Sequence, residues 1–510
     1  MSATEAGGTR IDADASIPGG SSPILTLAKH TIVYGLSGVL LQAVGALTLP
    51  IFARAFSQAQ YGMLELGLVL ASVVQTLVDL GFASAAQRSY YDYPETEPES
   101  RRRVLFTAIA STTTIAVVLA AVLAAAHAAI SNWLFDGKAA DALIVAIAAS
   151  VPLVNGATML RETMRLRFRR WSYVISSVLA AIVSAGVAIV LVVAFDVGVE
   201  AIFYGAIFGN LLAVVYGAVV CRHDIGLRFS VPDLKVMLAY GLPLVPAALA
   251  LWALALIDRL LLNRLTDLAE VGQYAVANRL ASLLMLGVSA FALAFGPYIF
   301  SLYAEDPEAE KLIRAKSLTY FVVVLLTGTV VLTLYSRGAI DLLAPGYDRA
   351  YKAVGPLSFG VAFFGISLVV TSGISFARRT RLLPAIAGAA AAVNIALNLV
   401  LIPQYGMVGA ALATAAGYAV LAVLQHAVAQ RVYPTPYETG KVLRALVLAA
   451  VFGAVGLVKL EPVAVDLLVK TVALAAFVVS LRVARVVDEE DVAHARRLLQ
   501  GRLRPAEIAP

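Results

Sequence analysis

Cysteine is nearly missing: Cys221 is the only one in 510 residues, so no intramolecular disulfide and no cysteine-built metal site can form. Histidine is scarce too, with five residues scattered and none paired at metal-ligand spacing. Charged residues make up only 14% of the chain. No glycine-rich nucleotide loop is present, which argues against direct ATP use. No period-two alternation runs through the apolar stretches, which argues against a membrane β-barrel.

Apolar residue is what the chain has in excess, at 60% of the composition with mean hydropathy +0.84. It falls into runs of about 20 residues split by short polar loops, the pattern of a polytopic α-helical membrane protein. Fourteen spans are expected, near 31–53, 62–87, 104–127, 140–160, 173–195, 199–221, 235–257, 272–302, 318–335, 353–376, 382–402, 406–430, 442–459 and 463–484. Residues 1–26, rich in Gly, Ser and Ala, form a tail expected to be disordered. The tail 486–510 carries acids first and bases last, which suits a short helix.

The pI of 9.2 has a topological cause. With the N-terminus inside, the inner loops collect Arg101 to Arg103, Arg161 to Arg170, Arg222 and Arg228, Lys311 to Lys316, Arg378 to Arg381, and Arg431 to Arg444. About three quarters of all Lys and Arg then lie inside, and both termini are cytoplasmic. The cluster from Arg161 to Trp171 interleaves Arg with Leu166, Phe168 and Trp171. It reads as a loop beside anionic lipid, not as a nucleic-acid surface.

The chain repeats itself. At an offset of 210, Arg54, Ala59, Gly62, Leu70, Ala71 and Ser72 meet Arg264, Ala269, Gly272, Leu280, Ala281 and Ser282. At 208, Arg170, Gly198 and Gly209 meet Arg378, Gly406 and Gly417. In each copy of the first stretch an apolar run ends at Arg and a Gly opens the next. An even number of spans separates the copies, so two parallel six-helix bundles are expected, 27–230 and 231–432, followed by helices 13 and 14 in 433–485.

Residues 394–414 read NIALNLVLIPQYGMVGAALAT. The order Asn394, Leu397-Asn398, Ile402-Pro403, Tyr405-Gly406, Gly409-Ala410 and Ala413-Thr414 resembles the polysaccharide exporter and oligosaccharide flippase family. Asp258-Arg259 with Val271-Gly272 and Tyr274 resembles that family's hairpin between spans 7 and 8. Tyr90-Tyr91-Asp92 with Glu95, Glu97, Glu99 and Arg101 to Arg103 resembles its loop between spans 2 and 3. The resemblance implies two bundles around a cavity open to one side at a time. It also implies a polyprenyl-pyrophosphate-linked oligosaccharide substrate in a bacterial inner membrane, and polymerase and export machinery as partners. A lipid II flippase and a drug or metabolite:cation antiporter are the alternatives of the same fold. An enzyme is disfavoured, because the short outer loops offer no acid-base constellation.

Polar residues within spans are the site candidates. Glu65, Ser72, Gln75 and Asp79 share a face of span 2, with Glu65 and Asp79 as coupling or gating groups. In span 8, Arg279 adjoins the face of Asn278, Ser282 and Ser289, and its planar fork suits a pyrophosphate. Arg88, Arg54 and Arg259 are further pyrophosphate candidates, although Asp258 and Arg259 also read as an interfacial ion pair. Asn394 and Asn398 are expected to hydrogen-bond between helices. No metal site and no cofactor are expected; energy comes from an ion gradient (H+ or Na+), the membrane potential or consumption of the flipped product.

The loop charges predict a labelling pattern. In a Cys221→Ala background, single cysteines at 98, 168 and 312 should resist an impermeant thiol reagent added from outside, and one at 137 should react. Labelling at 168 would reverse the orientation.

Overall fold

The computed structural model describes residues 38, 40–45, 47–135 and 140–487. The expected tail 1–26, the start of span 1, position 137 and residues 488–510 lie outside this set. In lipid every backbone N–H and C=O must be bonded within the protein, so long apolar runs become helices. Among the described residues the regular elements are all helical.

The first half contains α1 (Leu40–Ala55), α2 (Gln58–Asp79), α3 (Phe82–Asp92), α4 (Pro98–Ala125), α5 (His127–Phe135), α6 (Asp141–Leu166), α7 (Arg170–Phe195) and α8 (Ala201–Cys221). The second contains α9 (Val231–Gly241), α10 (Val245–Leu265), α11 (Leu268–Ala281), α12 (Leu284–Glu305), α13 (Pro307–Leu343), α14 (Tyr351–Phe376), α15 (Leu383–Tyr405) and α16 (Met407–Val432). Two further helices follow, α17 (Thr439–Ala454) and α18 (Val463–Val483). Among the described residues, thirteen helical stretches are long and apolar enough to cross a membrane, and α1 is a shorter apolar helix before them. This matches the fourteen expected spans.

Three spans are broken. Span 2 is interrupted at Leu80 (φ 42°) and Gly81 (φ 76°). Span 7 is interrupted by a 3-10 turn over Leu242–Leu244, where Pro243 and Pro246 remove backbone donors. The two interruptions touch: a Cβ on Gly81 would lie 2.7 Å from the Gly241 carbonyl oxygen. Span 8 turns at Ser282 and Leu283, between α11 and α12.

The repeat extends into local geometry. Ser57 caps α2 by accepting from Gln60 N, and Asp267 caps α11 by accepting from Glu270 N. Both members of each pair are 210 apart. The turn after α6 puts Phe168 at φ 54°, and the turn after α14 puts Arg378 at φ 54°. In the first, Arg169 N donates to Met164 O; in the second, Arg379 N donates to Ile374 O. These turns therefore align at 210 rather than 208, and Arg378 corresponds to Phe168 instead of Arg170.

The N-terminal bundle packs α2, α4, α6, α7 and α8 together; the C-terminal one packs α10 to α16, with α17 and α18 against α13. α2 meets α10 and α11 across the bundles. α9 packs on α3 and α4, so span 7 divides between the two bundles. The largest buried apolar cluster draws on both bundles, joining Tyr61, Leu66, Ile144 and Phe203 to Val271, Tyr274, Val354 and Ile402. Toward the arginine-rich end the N-terminal clusters keep to their own bundle and α9, as around Phe82, Val104 and Met237. The bundles are thus joined mainly at the end remote from the arginines.

The glycines of the repeat mark a crossing, not a helix start. Gly62 and Gly272 each lie four residues inside their helices, and they face each other. A Cβ on Gly62 would lie 2.0 Å from the Leu268 carbonyl oxygen, and one on Gly272 2.0 Å from that of Gln58. Gly62→Ala and Gly272→Ala should each lower stability by about 1–3 kcal/mol through overpacking. Gly186→Ala, with open space around it, should be neutral. Thermal melting of the purified variants checks this; equal melting of all three would show that the helices part without cost.

Candidate functional site

Across the bundle interface α2 and α10 run antiparallel, and polar pairs mark their length. Glu65 meets Arg259, and one step of seven residues further along both helices Ser72 accepts from Trp252 Nε1 at 2.9 Å. Seven residues rise roughly 10 Å in a helix. Beyond these pairs, α2 ends at Asp79.

Arg259 is the centre of this seam. It is 3% exposed, with Asp258 at 1% and Glu65 at 8%. Its Nε donates to Glu65 Oε1 at 3.2 Å and its NH1 to Asp258 Oδ1 at 2.7 Å. NH1 also reaches the Ala255 carbonyl oxygen. The second oxygen of Asp258 accepts from the Tyr274 hydroxyl and from Thr414 Oγ1 at 2.9 Å. Arg259 lies over the Tyr274 ring, 5.2 Å from its centroid. Four helices, α2, α10, α11 and α16, thus share one buried ionic network. Arg259 and Asp258 are not an interfacial pair at a span end; they lie a turn or more inside α10 and are buried.

The end remote from the arginine-rich loops is closed by backbone and aromatic contacts. Tyr347, on the α13–α14 connection, donates to the Phe56 carbonyl oxygen at 3.0 Å and packs edge-on to Tyr61 at 5.7 Å. Burial pushes the Tyr347 hydroxyl pKa up, so it stays protonated. Arg54, exposed, donates to the Leu342 carbonyl oxygen at 3.0 Å.

The other candidates stand apart. Asp79 accepts from Gly81 N at 3.2 Å and Ala83 N at 3.1 Å, holding the start of α3 across the span 2 interruption. Arg88 is exposed and lies 4.8 Å from the Tyr240 ring centroid. Arg279 is half-buried on α11, and its NH1 points at Gly45 of α1, 3.6 Å from where a Cβ would stand there. Among the described residues it makes no ion pair and no side-chain hydrogen bond. Of the four arginine candidates it is the one that is half-buried and, among the described residues, without an ion pair.

Asn394 and Asn398 do not link helices. Asn398 Nδ2 donates to Asn394 O and Oδ1 at 2.9 and 3.1 Å, within α15. The neighbouring small residues do allow close packing: a Cβ on Gly409 would lie 2.3 Å from Leu401 O, and one on Gly417 2.9 Å from Asn394 Cβ. Among the described residues no group of three His, Cys, Asp or Glu is placed to hold a metal ion. Trp252 and Tyr347 were not singled out from sequence, and Thr414 only as part of the hairpin motif, because each takes its role from a partner more than a hundred residues away.

Two six-helix bundles meeting at an ion-paired seam, with two further helices outside, define a membrane protein of transporter architecture. The chain belongs to the family described as polysaccharide biosynthesis protein, which matches residues 27–303. The match includes the 90–103 loop and the 258–274 hairpin, and stops short of the 394–414 hairpin. The fold is similar to that of the lipid II flippase MurJ, inward closed conformation (TM-score 0.70, 15% identity, 88% of this chain and 98% of that one). It is also similar to a multidrug resistance MATE family transporter of the MOP superfamily (TM-score 0.59, 14% identity, 81% and 95%). Curated relatives include the uncharacterized membrane protein YabM of Bacillus subtilis, 31% identical over 206 residues. Another is the uncharacterized membrane protein MJ1068 of Methanocaldococcus jannaschii, 25% identical over 231 residues. The matched stretch covers 37% of this chain and of YabM, and 42% of this chain and 44% of MJ1068.

The network predicts strong coupling. Arg259→Gln should cost about 3–5 kcal/mol, since it leaves buried carboxylates unpaired. Adding Glu65→Gln should recover part of the loss, and a double-mutant cycle on melting measures how much. Strict additivity would show that the Glu65–Arg259 pair contributes nothing to joining the bundles.

Proposed function

We propose that this chain moves polyprenyl-pyrophosphate-linked oligosaccharide units from the inner to the outer leaflet of a bacterial inner membrane by alternating access. The units serve surface polysaccharide assembly, with polymerase and export machinery downstream. Both termini face the cytoplasm, as the loop arginines favour. The observation that carries the reading is Arg279: a half-buried guanidinium on α11, close to Gly45 of α1 and beside the bundle interface, without a carboxylate among the described residues. A diphosphate headgroup cannot cross hydrocarbon unaided, and a fork of donors replaces part of its lost hydration. Arg259 serves less well, because two carboxylates already neutralise it. Arg54 and Arg88 are exposed at the two ends, where they suit release and uptake.

In this reading Glu65 is the gate. Opening the remote end separates it from Arg259, and a coupling H+ or Na+ would neutralise it in that state. Asp79 supports the gate by holding the span 2 interruption. The likeness to MurJ favours lipid II as the second substrate reading, because the same headgroup chemistry meets the same cation.

Arg279→Lys keeps the charge and loses the fork, so export should weaken; Arg279→Ala should abolish it, with both proteins inserted and melting as the parent does. The measurement is glycolipid analysis of cells carrying each variant in place of the parent gene. Lipid-linked units should accumulate facing the cytoplasm. Full surface polysaccharide with Arg279→Ala at normal expression would refute the assignment.

A further inference from the structure

A second basic site lies at the arginine-rich end of the N-terminal bundle, away from the seam. Three connections meet there: the α3–α4 loop, the α6–α7 turn and the α8–α9 loop. Between them is a pocket of about 260 Å³ lined by Tyr90, Arg101, Arg102, Arg167, His223 and Asp224, with Pro98 and Glu95 at its margin.

The charges in it are unevenly satisfied. Asp224, on the floor, is clamped by Arg167 at 3.0 Å and Arg169 at 2.8 Å. Arg167 also holds the Tyr90 hydroxyl at 3.1 Å, and Arg101 lies 4.9 Å from the Tyr90 ring centroid. The remaining counter-charges hang in solvent. Glu95, 92% exposed, reaches Arg101 at 3.5 Å, and Glu99, 73% exposed, reaches Arg102 at 2.8 Å. Pairs of that kind contribute little and exchange readily. α4 starts at this margin, with Pro98 in its first turn and no side-chain cap, so its free amide donors and positive dipole end add to the field.

The other bundle shows what the same corner looks like when filled. Its counterpart is built from the start of α13, the end of α14 and the connector after α16. There Arg314 and Glu310 pair at 2.8 Å, both fully buried. The rings of Phe376, Tyr433 and Tyr437 close over the guanidinium at 5.7, 5.1 and 5.6 Å. Tyr433 donates to Glu310 at 3.0 Å, and Arg314 to the Thr435 hydroxyl. In the C-terminal bundle the cation is met from within. In the N-terminal bundle the side chains of Arg102 and Arg167 are 41% and 44% exposed around an open pocket.

We propose that this N-terminal corner binds a phosphate group, carried by an anionic lipid headgroup or by a soluble phosphate compound. Arginine forks bind phosphate oxygens in pairs, and a ligand that displaces Glu95 and Glu99 would tie the three connections together. Phe168 and Trp171, both exposed beside the α6–α7 turn, lie where interfacial aromatics anchor a protein to headgroups, which favours the lipid source.

The test uses the full-length protein and two probes. One arm titrates inorganic pyrophosphate in detergent against chloride at equal ionic strength. The other compares nanodiscs of phosphatidylglycerol with nanodiscs of phosphatidylcholine alone. Melting and native mass spectrometry are the readouts. The melting point should rise in at least one arm, and the responding arm identifies the source. Arg102→Gln removes an exposed side chain without freeing Asp224, and should weaken binding about tenfold. Glu99→Gln removes the competitor and should tighten it. A flat response in both arms, unchanged binding by Arg102→Gln, or weaker binding by Glu99→Gln each overturns the proposal. None of these readouts depends on transport.

Discussion

A guanidinium stripped of water must be met by carboxylates and further hydrogen bonds, or the fold does not tolerate it. Arg259 is such a group, and its two carboxylates come from different bundles. Asp258 is its own chain neighbour; Glu65 has to be delivered by α2. Delivery depends on backbone contact between α2 and α11 at Gly62 and Gly272, one turn from Glu65. A side chain at either glycine would hold the helices apart and leave Arg259 short of a partner. Tight packing and charge neutralisation at the remote end are therefore one constraint. The excess negative charge of two carboxylates on one cation is spread by Tyr274 and Thr414, which both donate to Asp258.

Across the two halves the backbone repeats more fully than the buried charges do. The caps at Ser57 and Asp267 and the left-handed turns at Phe168 and Arg378 all keep the 210 spacing. So do Asp196 (φ 51°) and Gly406 (φ 55°), which end α7 and α15. The charges of the buried seam and Arg279 do not repeat. By the same spacing Glu65 answers to Ala275, Arg259 to Leu49, and Arg279 to Val69. A frame repeated twice with its seam charges installed once gives an asymmetric interior, with Arg259 and Arg279 both in the second half.

The legible parts of the sequence were those set by local physics. Runs of apolar residue dictate helices in lipid, so the spans and the two-bundle plan were readable, as was the importance of Arg54–Ser72 and its copy. The role of their glycines was not. A Gly after a polar loop looks like a helix start, and only the crossing of two helices 210 residues apart shows it to be a contact. Arg259 looked interfacial for a similar reason: its neutralising partner Glu65 is 194 residues away. The Asn394–Asn398 spacing of four fits bonding along one helix as well as across two, and the structure takes the former. Identical residue types recur at 208, two residues off the conformational match at 210, because Arg and Gly recur without keeping their structural positions.

Separation of the bundles would not fall evenly on the seam. Arg259 keeps Asp258 whichever way the bundles move, because both sit on α10 and Arg259 N itself donates to Asp258 Oδ1 at 2.9 Å. Asp258 in turn keeps Tyr274 and Thr414, which belong to the same bundle. Ser72 and Trp252 lose a single neutral bond, a small cost. Among the described residues Glu65 alone loses its ion-pair partner without keeping another. The electrostatic cost of parting is thus concentrated on one carboxylate, at the level where the bundles are closest. Under the proposed function that carboxylate would govern whether the remote end opens, without touching the cation on α11 that faces α1.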